Sequence, residues 1–159
     1  METLKTRPWI VRYDKEDTAR RYALAQKGGP DECVCENCRN FVAARESVYP
    51  DEARRIFDML GIDCHKEAEV AHTNRIRFGW HLYMGWLNFV GSIEHSDKDY
   101  EPSYKKVETV KDVKLTDHFS WAFFESRGEP RLAVFGPDGV SEIFFSAEVP
   151  WVLDTPEPR

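Results

Sequence analysis

Residues 79–93 read Gly79-Trp80-His81-Leu82-Tyr83-Met84-Gly85-Trp86-Leu87-Asn88-Phe89-Val90-Gly91-Ser92-Ile93, and the fold turns on how this run is read. Alternation puts Trp80, Leu82, Met84, Trp86 and Val90 on one side of an extended strand. His81, Tyr83, Leu87 and Phe89 fall on the other. Both sides are apolar, so the strand is expected in the middle of a sheet, covered on both faces.

Downstream the period stays at two. His118–Glu125 reads as the next strand, with Phe119, Trp121 and Phe123 on one face. Arg131–Phe135 and Ser141–Val149 flank Gly136-Pro137-Asp138-Gly139, which predicts a hairpin, because proline presets the turn and Gly139 supplies positive φ. Between these, 95–104 is a polar loop and Lys105–Leu115 a weak exposed strand. The proline-rich tail after Pro150 is expected to fray, with Trp151 anchoring its start.

Upstream, Trp9–Tyr13 reads as a short strand and Glu69–Ala71 as another. Asp14 caps a helix carrying Thr18, Ala19, Tyr22, Ala23 and Leu24, which Gly28-Gly29-Pro30 ends. Cys38 to about Ser47 reads as a second helix. Pro50 opens a third, in which Ala53, Ile56, Phe57 and Leu60 recur at helical spacing before Gly61 stops it. Together these predict an α+β fold: an antiparallel sheet of about five strands with N-terminal helices packed on one face. One domain is expected over 1–159, with a mainly helical part to residue 67, strands over 68–150 and a tail over 151–159.

Composition narrows the function classes. Of 159 residues 42% are hydrophobic, enough for a core and too many for general disorder. The net charge of −6 argues against a nucleic-acid binder, which needs a basic face. No run approaches the ~20 apolar residues that span a bilayer, and Met1–Pro8 lacks the apolar stretch of a leader. A cytoplasmic protein with reduced thiols is therefore expected.

Three of the four cysteines sit within Glu32-Cys33-Val34-Cys35-Glu36-Asn37-Cys38-Arg39-Asn40-Phe41. The Cys35-x-x-Cys38 spacing lets two sulfurs hold one zinc ion, and Cys33 offers a third. Zinc takes about four ligands, so Cys64, His65 and His72 are candidates for the fourth. An iron–sulfur cluster on the four cysteines would lack a familiar spacing. Redox chemistry would suit a Cys-x-x-Cys at a helix start, but Glu32 and Glu36 disfavour thiolate there. Three cysteines packed as small apolar residues is the plain alternative. No nucleophile elbow or phosphate-binding loop is present.

Cys33-x-Cys35-x-x-Cys38-x-Asn40-Phe41, Leu60-Gly61-Ile62-Asp63, Lys66-Glu67-Ala68-Glu69-Val70 and His81-Leu82-Tyr83-x-Gly85-Trp86-x-x-Phe89-Val90-Gly91 together resemble an uncharacterised family of small bacterial proteins, over about residues 33–91. The resemblance implies a bacterial cytoplasmic setting and carries no activity.

The functional expectation is a non-enzymatic binding module with a zinc ion at the cysteines. Tyr83, Trp86 and Trp121 would present an aromatic sheet face to a protein, a small molecule or a second copy of the chain. The alternative is a metal- or thiol-dependent enzyme centred on Cys33, Cys35 and Cys38.

Overall fold

The computed structural model describes residues 1–6, 8–95, 112–126 and 130–158. The expected loop over 95–104 and most of the strand over 105–115 lie outside these residues. Within them the chain is α+β. The strands are β1 (Glu2–Thr6), β2 (Trp9–Tyr13), β3 (Glu69–Arg77), β4 (Trp80–His95), β5 (Val113–Thr116), β6 (Phe119–Glu125) and β7 (Val140–Pro150). The helices are α1 (Lys15–Leu24), the single turn α2 (Gly29–Glu32), α3 (Glu36–Ala44) and α4 (Asp51–Leu60). A 3₁₀ turn, Arg45–Ser47, continues α3.

The sheet is antiparallel in every pairing and runs β1-β2-β4-β7-β6-β5, with β3 also paired to β4. It has seven strands where about five were expected. β1, whose Leu4 is its one buried side chain, was not expected, whereas β5 falls at the end of the weak exposed strand expected over 105–115.

β4 is the spine, as its sequence requires. β7 pairs with it from Trp80 to Val90. The opposite edge is shared in succession by β3, against residues 80–86, and β2, against 91–95. Helix α1 fills the interval between them with side chains. The Tyr22 hydroxyl donates to Asn88 O at 2.6 Å, and the Val90 N–H donates to Thr18 Oγ1 at 3.0 Å. Asp14 caps this helix by accepting the Asp17 N–H at 2.9 Å, and its own N–H donates to Val90 O.

His81, Tyr83, Leu87 and Phe89 of β4 are buried, Tyr83 against α3 and His81 against His72, Trp151 and Glu157. Phe41 of α3 meets Tyr83 at 5.5 Å between ring centroids, Tyr49 meets Phe145 at 5.3 Å, and Phe57 of α4 meets Trp121 at 6.1 Å. The other face is less covered: Trp80, Leu82, Met84 and Trp86 are half-buried, and only over Leu87–Gly91 is β4 buried on both sides.

Two expectations are overturned. Ala133–Phe135 is a 3₁₀ turn, not a strand, so Gly136–Gly139 closes no hairpin. The reason is that β7 has β4 on one edge and β6 on the other, leaving no edge free, while Phe135 is buried against the Tyr22 ring at 5.0 Å. Nor does the tail fray. The Trp151 N–H donates to Gly79 O, the Val152 N–H donates to Asn40 Oδ1 at 2.7 Å, and Glu157 accepts from the Gly79 N–H and from His81. A smaller correction concerns Gly28-Gly29-Pro30. α1 already stops at Leu24, and the glycines instead start α2.

Gly85 pairs with Phe145 across the sheet, and a Cβ there would sit 2.2 Å from the Phe145 ring. Gly85→Ala should therefore destabilise by about 1–3 kcal/mol through overpacking, read as a lower urea midpoint with an unchanged slope; an unshifted midpoint would contradict this packing.

Acid should also loosen the fold. Burial and the neighbouring His81 hold His72 below its ordinary pKa, so the folded state resists a proton that the unfolded chain takes up near pH ~6.5. Hydrogen bonding from His81, with Gly79 and Arg75, holds Glu157 below the usual carboxylate range. Its contribution is present above the unfolded value of about 4.3 and is lost as pH falls through its lower folded value. Denaturation midpoints should decline below pH ~6.5 and again below about 4. Glu157→Gln should shrink the second decline, to which Asp17 and Glu46, held low by Arg21 and His65, also contribute, and a flat profile across both ranges would refute the reading.

Candidate metal centre

The cysteine turn is held from both ends. On its upstream side, Gly28 and Gly29 press against the backbone entering β3. The Gly29 N–H donates to Glu67 O at 2.8 Å, and a Cβ on Gly28 would lie 2.7 Å from that oxygen. Only glycine permits this approach. α2 follows, with Pro30 opening its single turn, and the chain leaves it extended at Cys33.

On the downstream side Cys35 is the N-cap of α3, and its Sγ accepts the Cys38 N–H at 3.4 Å. A sulfur thus takes the place usually filled by a serine or aspartate oxygen. The first turn of α3 is tied to the sheet by the Tyr83 hydroxyl, which donates to Asn37 O at 2.8 Å. Asn40, fully buried, ties it to the tail by donating to Pro150 O and accepting from Val152.

A buried ionic node joins the two sides. Arg45 donates to Glu67 through Nη2 at 2.8 Å and Nε at 3.2 Å, and Nη2 reaches Asp31 of α2 at 2.8 Å. The Tyr49 hydroxyl donates to Glu67 Oε2 at 2.6 Å. Glu67 has no exposed surface. Burial pushes its carboxyl up, against the pull of Arg45 and Tyr49.

Between these anchors the three sulfurs converge. Cys33 Sγ lies 3.2 Å from Cys35 Sγ, and the sulfurs of Cys33, Cys35 and Cys38 all lie within 4.8 Å of one another. A tetrahedral zinc with bonds of about 2.3 Å spaces its sulfurs at about 3.8 Å, so the cluster fits an ion with small adjustments. Cys35 is exposed, and Cys33 and Cys38 are half-buried. Hydrogen bonds from Cys38 and Cys35 pull the Cys33 thiol down, whereas burial and the neighbouring sulfurs push Cys38 up.

The other candidate ligands are elsewhere. Among the described residues no further side chain joins the three sulfurs. Cys64 packs against the core, which raises its thiol pKa. His65 turns outward to Glu46 at 2.7 Å. His72 Nε2 meets His81 Nδ1 at 2.8 Å, and His81 Nε2 meets Glu157 at 2.8 Å. Of the aromatic residues, Tyr83 and Trp121 are core side chains. Trp86 is half-buried on the outer face, with the Arg131 guanidinium 4.1 Å over its ring. Arg45 was not singled out from sequence, and Asn40 and Glu67 stood there only as members of motifs, with no sign that both are fully buried.

No protein-family model, curated protein or solved structure matches this chain. No helix among the described residues is long and apolar enough to cross a membrane.

Arg45→Ala leaves Glu67 as an uncompensated buried charge. It should cost about 3–5 kcal/mol, measured by urea denaturation. A loss below about 1 kcal/mol would show that the node carries no such strain.

Proposed function

We propose that this chain is a metal-binding module whose Cys33–Cys38 turn holds a thiophilic ion, zinc foremost. The observation that carries the reading is the convergence of three sulfurs within 4.8 Å on a backbone fixed at both ends. An all-thiolate donor set suits zinc or another soft ion and disfavours calcium or magnesium. Cys33 would be contributed from the end of α2, and Cys35 and Cys38 from the start of α3. Three protein ligands leave the fourth position of a tetrahedral zinc to water or an incoming donor. Bound there, zinc would supply a cross-link between the two helix ends and Lewis acidity at that position.

The role we assign is binding, of the metal and of a protein or small-molecule partner, with Trp86 as the aromatic contact still at the surface. Four unpaired cysteines suit a reducing, cytoplasmic setting.

Protein purified without chelator should carry about one equivalent of zinc by elemental analysis. Cobalt substitution should give intense thiolate-to-metal charge-transfer absorption. Cys33→Ser, Cys35→Ser and Cys38→Ser should each lower zinc affinity by about two orders of magnitude, at least what loss of a supporting contact costs, while Cys64→Ser should not. Absence of both bound zinc and the cobalt–thiolate absorption would refute the proposal.

A further inference from the structure

The same three sulfurs have a second property, independent of any ion: two of them are already in contact. We infer that Cys33 and Cys35 form a peroxide-reactive pair whose oxidation to a disulfide disables the metal site. This rests on the metal-binding reading for its consequence, though not for its chemistry.

Access and distance carry the inference. Cys35 is exposed at the start of α3, and Cys33 is half-buried beside it with its sulfur 3.2 Å away. Both residues are extended, at φ −83°, ψ 134° and φ −72°, ψ 155°, outside the hydrogen-bonded body of either helix. Their linkage touches α3 only at its cap, where the Cys35 sulfur accepts the Cys38 N–H. Cys64 is packed against the core and has no sulfur partner, so the chain holds its own unreactive control.

The step balances with hydrogen peroxide as the two-electron oxidant. The Cys35 thiolate attacks one peroxide oxygen. The S–O bond forms, the O–O bond breaks and hydroxide leaves. The Cys33 sulfur then attacks Cys35 sulfur, forming S–S and breaking S–O. Water leaves with the Cys33 proton. Two of the three metal ligands are thereby consumed, and a thiol reductant restores them.

The test treats metal-free, full-length protein with stoichiometric hydrogen peroxide and maps the peptides. The expected result is a Cys33–Cys35 disulfide with Cys64 still a thiol. Cys33→Ser should instead accumulate a dimedone-trappable sulfenic acid on Cys35. Zinc titrated into the oxidised protein should bind at least tenfold more weakly than into the reduced protein, with recovery after dithiothreitol. Peroxide treatment that leaves Cys33 and Cys35 unlinked, or that modifies Cys64 as fast, overturns the inference. If reduced protein binds no zinc while the disulfide forms, the metal reading fails and the thiol pair stands. If zinc binds and no disulfide forms, the pair fails alone.

Discussion

The Arg45–Glu67 pair is the constraint on which the site depends. Two opposite charges that are nearly or wholly removed from water must find each other and fill their remaining hydrogen-bonding capacity, or the burial is prohibitive. Glu67 does so with Arg45 and Tyr49, and Arg45 does so with Glu67 and Asp31. The partners come from α2, the 3₁₀ turn after α3 and the entry to β3. Satisfying one buried carboxylate therefore sets where three segments lie. The six-residue cysteine turn spans two of them, and its sulfurs converge because its ends have no freedom to separate.

The core completes the same constraint from below. Aromatic side chains of β4, β6 and β7 meet Phe41, Tyr49 and Phe57, and Tyr83 belongs to both systems. Its ring packs in the core while its hydroxyl holds the first turn of α3. A residue expected to contact a partner instead connects the sheet to the cysteines.

Much of the fold was legible because its signals are local. Alternation in β4 and β6, the Asp14 cap and the Gly61 stop, in the left-handed conformation at φ 80°, all depend on neighbours in sequence. The failures share a different origin. The Gly136–Gly139 turn has good hairpin chemistry, but whether a strand precedes it to pair with β7 depends on a vacant edge of β7, and there is none. The tail was read as frayed because its order comes from Asn40, Gly79 and His81, each more than 70 residues away. At the candidate site the three sulfurs follow from their spacing. Cys64 and His65 were natural guesses for the fourth ligand, yet adjacent side chains diverge: one turns to the core and the other to Glu46. The Arg45–Glu67 pairing was invisible, although Glu67 stood in a motif, because charge pairs across 22 residues leave no periodic trace.

The way α1 fills the edge of β4 has a consequence for the chain's behaviour when it is not fully folded. Between β3 and β2, the backbone at Asn88–Val90 is satisfied by two side chains and a helix cap rather than by a strand. A helix of ten residues is marginal without its packing, so its loss would bare a short row of unpaired groups flanked by Leu87 and Phe89. Such an edge templates the addition of a foreign strand. α1 thus acts as a guard against aggregation, and Thr18 and Tyr22 are the two residues through which it does so.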